Sequence, residues 1–414
     1  MHAAGIIAEY NPFHNGHAYH AAQTRKSSGA DAVIAVMSGH VTQRGEIAIF
    51  DKWQRAGAAV VAGVDLVLEL PAVFAVRSAQ YFATGGVQLL QRLGIVATLA
   101  FGAEAVQPEQ LYSAASALDE PAVTAQLKSN LTQGLPYAAA LADALIACGH
   151  TTADIIKSPN NILGIEYLRA IRKQAPEMAA LPIRRIGSHY HEPELTGTYS
   201  SATAIRNGLR RGLPLTDAVL AALPATSSRM ALDLLASGWG PADPVRLEAA
   251  ILSTLRRLSD RQLQVLPELS EGLENRLRNA ADQAGTLTAL LTQVKSKRYP
   301  YSRLQRILAH LLLGTTADQL ADFDQTGPLY ARVLALNSRG RVALRHIARH
   351  SEIPIITKTT QHLNSRIYHG GNFTPLQAML AVDVAATDLF SLCLPAAENR
   401  KGGLDFCRSA FHIG

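Results

Sequence analysis

Residues Gly5–His20 read GIIAEYNPFHNGHAYH, and the reading of this stretch decides the fold. Ala4 to Glu9 is a short apolar run of the kind that forms a strand covered on both faces. It passes directly into Tyr10-Asn11-Pro12-Phe13-His14-Asn15-Gly16-His17, and from His17 towards Lys26 the pattern is helical. A strand, a loop and a helix in that order form one junction at the carboxyl edge of a parallel sheet, where open α/β sheets bind ligands. The helix start offers free backbone N–H groups and a partial positive charge to phosphate, and Gly16 lets the backbone come close to it. Two imidazoles flanking that glycine add donors for the phosphates of ATP. The 414 residues include 14 His and 30 Gly. Roughly 0.03 His-x-Gly-His matches then arise by chance, so a nucleotide site outweighs a pair of idle surface histidines.

Outward from this junction, the N-terminal half repeats the alternation of short apolar runs and amphipathic segments that marks βαβ units. Strands are expected at Ala32 to Ser38, Asp65 to Leu70 and Val96 to Phe101, with a fifth through Ile183 to Ile186. Helices are expected at Lys52 to Ala62 and Ala79 to Leu93, and Gln107 to Gly149 reads as an Ala- and Leu-rich helical insertion. After about Pro214 the strand signal fades. Pro244 to Leu258, Leu263 to Gln283, Ser302 to Leu313 and Tyr330 to Ala335 carry helical periodicity. A short βαβ-like piece returns near Ile353 to Thr357, after a turn at Asn337 to Gly340. The pattern predicts an α/β doubly wound parallel sheet in residues 1–220, with a helical insertion at about 107–149, followed by a mainly helical domain in residues 221–414.

A chain of this length exceeds the size at which one core keeps growing, which agrees with two domains. Apolar residues at 48% and charged residues at 17% exclude a disordered or fibrous chain. No signal-peptide pattern opens the sequence and no uninterrupted run of eighteen apolar residues occurs, so a soluble cytoplasmic protein with no membrane partner is expected. Cys148, Cys393 and Cys407 are far apart and in no CxxC spacing, which suggests neither disulfides nor a zinc site. A net charge of +6 leans towards anionic partners. No dedicated carboxylate cluster for a metal is visible.

A second constellation lies at Tyr199-Ser200-Ser201-Ala202-Thr203-Ala204-Ile205-Arg206, ahead of a helix expected to begin around Thr203. Its hydroxyls either cap that helix or hold phosphate. Ser38, Gly39, His40, Gln43 and Arg44 follow the second strand and should face the same sheet edge. In Lys295 to Arg306, the cations Lys295, Lys297, Arg298, Arg303 and Arg306 interleave with Tyr299 and Tyr301, and the segment has no acid. Such cations suit RNA phosphates and such tyrosines suit unpaired bases, whereas a solvated helix face is the plain alternative. Arg339, Arg341, Arg345, His346 and Arg349 pose the same choice.

Together the first two motifs resemble the paired ATP signatures of the HIGH-superfamily adenylyltransferases. The resemblance narrows with Gly5 to His20, with Met37 to Glu46 (MSGHVTQRGE), with Phe101-Gly102-Ala103-Glu104 and with Pro159 to Tyr167 (PNNILGIEY). It continues through Ile183 to Gly187 (IRRIG) and Lys295 to Tyr299 (KSKRY), so that nearly the whole chain is similar to the tRNA(Met) cytidine acetate ligase family. It weakens in the helical insertion and after about Asn399.

The resemblance implies a HIGH-type Rossmann-like nucleotidyltransferase domain and a two-step ligase. Acetate attacks the α-phosphate of ATP, pyrophosphate leaves, and the acetyl group passes to the wobble cytidine of elongator tRNA(Met), with AMP released. It implies an ATP site lined by Ile7, Ala8, Glu9, Tyr10, Asn11, Pro12, Phe13, His14, Asn15, Gly16, His17, Ala18, Tyr19 and His20. Gly102, Asn160 or Asn161, Arg184 or Arg185, and Ser200, Ser201 and Thr203 complete that site. His14, His17 and Arg206 would act on the phosphates, magnesium would accompany ATP, and Lys295, Lys297, Arg298, Arg303 and Arg306 would bind tRNA. Two other classes fit part of the sequence. One is a metabolite adenylyltransferase of the phosphopantetheine or nicotinamide mononucleotide kind; the other is a non-catalytic tRNA-binding protein with a regulatory nucleotide site.

Overall fold

The computed structural model of the protein describes its 414 residues apart from 105–107, 134, 136, 151–154, 157, 187–193, 196 and 270–271. Gln107 and Gly187, which end two of the stretches marked in the sequence, lie outside the described residues. The strands are β1 (Ala3–Ala8), β2 (Ala32–Ser38), β3 (Leu66–Leu70), β4 (Val96–Ala103), β5 (Ala179–Arg184), β6 (Ala331–Leu336), β7 (Ile355–Ile356) and β8 (Phe411–His412). They form one sheet in the order β5-β4-β1-β2-β3-β6-β7, with β8 beside β6. Strands β1 to β5 are parallel. The chain runs outward from β1 through β2 to β3 and then returns to the other side of β1 as β4. The winding therefore reverses between β1 and β4, and the crevice beyond their carboxyl ends is where such a fold takes ligands.

Successive side chains of a strand point to opposite faces, and here both faces are covered. Ile34 and Val36 of β2 join Leu66, Leu68 and Phe82 in one core, while Val33, Ala35 and Met37 join Ala21 and Trp53 in the other. The second face carries α1 (Asn15–Ser28) and α2 (Lys52–Val61); the first carries α3 (Ala79–Arg92) and α4 (Pro159–Gln174). The first core continues without a break through Leu277, Leu308 and Met379 of the helical half.

Four expectations from the sequence need correction. Tyr330 to Ala335 is not helical: Ala331–Leu336 is β6, antiparallel to β3 and buried at every position. A fully buried strand is uniformly apolar, and over six residues that run has no period by which to tell it from a helix. The fifth strand lies earlier than Ile183 to Ile186, at Ala179–Arg184. Pro182 disguises it, and is tolerated because β5 is an edge strand. Leu263 to Gln283 is broken into Asp260–Gln264 and Leu273–Gln283, with Pro267 between them, since proline removes a helical donor. Asn337 to Gly340 is a helix start, with Asn337 capping α7 (Ser338–His350) by accepting the Gly340 N–H. Gly340 is required there, because a Cβ would fall 1.9 Å from the Asp65 carbonyl oxygen.

Strand β6 brings Arg332 opposite Glu69 of β3. Around them Lys52, Glu69, Arg332 and Asp405 form a closed group of two cations and two carboxylates, all buried. The charges balance, which offsets the cost of removing them from water. Asp405 belongs to the C-terminal segment on which the sequence was silent, and Phe411 beyond it pairs with β6 and packs on Gly57. Helix α8 (Pro375–Leu392) is long and apolar enough by composition to cross a membrane, yet 56% of it is buried inside the protein. Its Asp383 accepts the Ala72 N–H and the Tyr330 hydroxyl.

Candidate active site

The site begins where β1 ends. Arg55, fully buried on α2, donates to the carbonyls of Glu9, Ser38, Gly39 and Phe50, so one guanidinium pins the carboxyl ends of β1 and β2 together. The sequence reading passed over it; a single arginine within the apolar stripe of a helix was the available signal. The chain then turns through Tyr10, whose φ of 48° is left-handed, a costly conformation for a non-glycine residue and one that clusters at functional sites. Asn11 accepts the Ile49 N–H, and Phe13 is wholly buried against Tyr10.

His14 is the N-cap of α1. Its Nδ1 accepts the Gly16 N–H at 3.0 Å, and His17 Nδ1 accepts the His14 N–H at 3.3 Å, so the two histidines form a capping box. A ring nitrogen that accepts a backbone N–H carries no proton, which leaves Nε2 as the N–H of a neutral ring. Burial drives both rings that way, with the nearby Arg185 adding to it. His14 is pushed down to about 3 and His17 well below the ordinary histidine range. His20 is likewise pushed down to about 4. The His14 and His17 rings stack with centroids 3.8 Å apart. Neutral imidazoles supply hydrogen-bond donors here, and the positive charge comes from elsewhere.

That charge comes from Arg206 and Arg185. Arg206, on α5 (Ala202–Arg210), donates to the Asn11 carbonyl at 2.9 Å and to Thr203 Oγ1 at 3.2 Å, and lies 3.9 Å from Glu46. Ser201 caps α5 by accepting the Ala204 N–H, and Ser200 donates to the Gly197 carbonyl. Capping does not remove these serines from the cavity, which both line together with Thr203. Asn15 fastens the two motifs by donating to the carbonyls of Thr198 and Ala221.

A cavity of about 960 Å³ opens over the β1 and β4 ends. Of the residues singled out in the sequence, Ile7, Ala8, Glu9, Tyr10, Asn11, His14, Gly16, His17, Tyr19, His20, Gly102, Arg184 and Arg185 line it. A Cβ at Gly102 would sit 3.2 Å from Arg185, so glycine keeps that floor open. Pro12, Phe13, Asn15 and Ala18 do not line the cavity. Of the asparagine pair, Asn160 faces the cavity and donates to Glu104. Asn161 is 4% exposed and bonds the Glu104 N–H and the Ile155 carbonyl instead. Of the loop after β2, Thr42, Gln43, Arg44 and Glu46 reach the cavity, whereas His40 is buried against Phe390. Glu166, Tyr167 and Leu131 line it as well. Among the described residues no group of three His, Cys, Asp or Glu side chains could hold a metal ion.

The far wall comes from the helical half, through Arg298, Arg303 and Arg306 around the start of α6 (Tyr301–Leu313). Arg306 does not stand free for a phosphate as its sequence context suggested. It is 8% exposed and held by both oxygens of Glu268 at 2.6 and 2.7 Å. Glu268 sits in the break between Asp260–Gln264 and Leu273–Gln283, so folding supplies the acid that the segment lacks. Arg303 donates to the Glu268 carbonyl. Lys295, Lys297 and Arg298 are exposed, as are Arg339, Arg341, Arg345 and Arg349 along α7, with His346 half-buried beside them.

With this geometry in place, comparison with known proteins is specific. A family described as HIGH Nucleotidyl Transferase matches residues 1–405. The tRNA(Met) cytidine acetate ligase of Acetivibrio thermocellus is 39% identical over 99% of both chains, and that of Syntrophomonas wolfei is 40% identical, again over 99% of both. Two crystal structures of Thermotoga maritima TmcAL, each 31% identical, superpose over 100% of this chain. The apo form has a TM-score of 0.92 and covers 100% of that chain; the form bound with alpha-thio ATP has a TM-score of 0.90 and covers 99%.

Proposed function

The chain belongs to the tRNA(Met) cytidine acetate ligases among the HIGH nucleotidyl transferases, and from that premise we propose how its cavity performs the two steps. The enzyme is an ATP-dependent ligase. It joins acetate to ATP as acetyl-adenylate, releases pyrophosphate, and moves the acetyl group to the wobble cytidine of elongator tRNA(Met). The observation that carries this reading is the convergence of His14, His17, Arg185 and Arg206 on one cavity at the winding reversal between β1 and β4.

ATP lies across that crevice with its phosphates at the start of α1. Backbone N–H groups, the His14 Nε2–H and the Arg206 guanidinium meet the charge that builds on the α-phosphate and on departing pyrophosphate. Donors already held in place need no reorganisation when the charge moves. The neutral rings matter: as donors without charge they release the pyrophosphate product more readily than two cations would. Asn160 and Arg185 complete the nucleotide contacts. Magnesium would travel on the phosphates, since among the described residues no group of three His, Cys, Asp or Glu side chains could hold it. No covalent nucleophile is needed, because positioning and charge stabilisation suffice for such a transfer.

The division of labour is part of the proposal. Residues 1–220 bind ATP and acetate, and residues 221–414 bind tRNA through Lys295, Lys297 and Arg298, with Arg303 in the shared wall. A helical half of that size has no use in making a dinucleotide, which argues against the metabolite adenylyltransferase. A complete set of phosphate donors argues against a site that only regulates. The place of action is the cytoplasm, where tRNA and ATP meet.

The test has two parts. The purified protein should exchange labelled pyrophosphate into ATP when acetate is added. Tandem mass spectrometry of nucleosides from cells lacking the protein should show loss of acetylcytidine from elongator tRNA(Met). Exchange stimulated by phosphopantetheine or nicotinamide mononucleotide, with none from acetate, would transfer the protein to the rival class.

A further inference from the structure

The second step needs a base. The exocyclic amine of cytidine is a weak nucleophile, its lone pair drawn into the ring, and as it attacks a carbonyl carbon its proton becomes acidic and has to leave. Among the described residues the cavity presents three histidines that could take a proton and three carboxylates. The histidines are poor candidates. His14 and His17 have Nδ1 occupied by backbone N–H groups, and burial holds them and His20 far below the ordinary histidine range.

The carboxylates differ in how they are engaged. Glu166 is 3% exposed and gripped by Arg169 through both oxygens. Glu46 lies beside Arg206 and takes a long contact of 3.5 Å from Gln305. Glu9 stands at the end of β1, with its own carbonyl held by Arg55. One side-chain oxygen, Oε1, accepts the Gln43 N–H at 2.8 Å. Among the described residues the other oxygen makes no hydrogen bond and no cation lies within ion-pair distance of the carboxyl group. The titratable and charged groups facing it are Arg206, Arg44, Glu46, Arg55 and Tyr167. Glu9 therefore shares its reaction centre with Arg206, the cation assigned to the phosphates.

We propose that Glu9 is the general base of acetyl transfer, taking through Oε2 the proton that the cytidine amine sheds as its nitrogen attacks the acetyl carbonyl. This rests on the acetyl-adenylate reading above. The N–C bond forms, the C–O bond to the adenylate phosphate breaks, AMP leaves with the electron pair, and the proton on Glu9 passes on to solvent. Burial raises the proton affinity of Glu9 above that of an ordinary carboxylate, which makes it the better proton acceptor.

Glu9→Gln keeps the shape of the side chain and an oxygen for the Gln43 N–H but cannot accept the proton. Two rates are compared across pH 5 to 9: acetate-dependent pyrophosphate exchange, and single-turnover transfer from enzyme-bound acetyl-adenylate to tRNA. Transfer should fall by roughly 10²- to 10⁴-fold, the range for loss of a positioned base, and by at least tenfold more than exchange does. The wild-type transfer rate should rise with pH to a plateau and become flat in the variant. Glu9→Asp should recover part of the transfer rate with the pH dependence restored. Equal losses in exchange and transfer would overturn the proposal, because Glu9 would then serve ATP binding alone. So would normal transfer in Glu9→Gln, or a wild-type pH profile that persists in it. A wild-type enzyme with no acetate-dependent exchange would instead refute the acetyl-adenylate reading, so the two failures are told apart.

Discussion

His14 does two jobs, and two substitutions separate them. Its Nδ1 caps α1, and its Nε2 is the donor proposed above for the nucleotide phosphates. Alanine removes both. The lost cap should cost about 1 kcal/mol of stability, within the usual range for an N-cap replaced by alanine. Asparagine also accepts the backbone N–H and is a preferred cap, so His14→Asn should stay within a few tenths of a kcal/mol of wild type in denaturant unfolding. Activity should show no such rescue. The short amide cannot reach where Nε2 points, and loss of one preorganised donor to developing charge costs on the order of 10² to 10³ in rate, or roughly 2.7 to 4 kcal/mol. Acetate-dependent pyrophosphate exchange and urea unfolding on wild type, His14→Ala and His14→Asn read the two quantities side by side. Near-normal exchange in His14→Asn would refute the assignment of Nε2 to the reaction. Equal destabilisation by asparagine and alanine would refute the capping argument.

Three further outcomes are expected. His14 is held down to about 3 in the folded protein, so between that value and the ordinary histidine range the unfolded chain binds a proton the native one does not, and stability falls as pH falls. Between pH 7 and 5 the wild type should therefore lose more stability than His14→Asn, at roughly 1 kcal/mol per pH unit below about 6.5; identical pH slopes in urea unfolding would contradict this. Asp405→Asn leaves Lys52 and Arg332 buried with one carboxylate between them, and should destabilise by about 3 to 5 kcal/mol, whereas a change under about 1 kcal/mol would show the group to be dispensable. Neutralising Lys295 and Lys297 together should weaken tRNA(Met) binding and lower the slope of log affinity against log salt by about 1 to 2, while exchange falls far less. Filter binding across a salt series measures it, and an unchanged slope would move the search to the arginines of α7.

The parts of the molecule legible in the sequence are those whose physics is local. A strand passing through Tyr10 to Gly16 into a helix is written in about a dozen consecutive residues, and β1, β2 and β3 stand within one or two residues of where the apolar runs place them. The cap at Ser201 needs only the three residues after it. The pairs Asn160 or Asn161 and Arg184 or Arg185 are legible as pairs and no further. Adjacent residues of one type differ only in the direction they face, and that direction is set by what packs around them.

By itself the sequence determined the doubly wound sheet, the strand-to-helix junction at its carboxyl edge, and the second motif that joins it, because hydrophobic period, capping and glycine spacing act between near neighbours in the chain. Tertiary structure decided the rest. It made β6 a strand by burying both its faces at the edge of β3, and it turned Asn160 towards the cavity and Asn161 away. It engaged Arg306 by bringing Glu268 from a loop 38 residues away, which no count of charges along the segment reveals. It also set the protonation of the site: two histidines that the sequence offers as donors are kept neutral, because burial and a neighbouring arginine disfavour charge on the rings. Burial at the end of β1 likewise raises the proton affinity of Glu9 above that of an ordinary carboxylate.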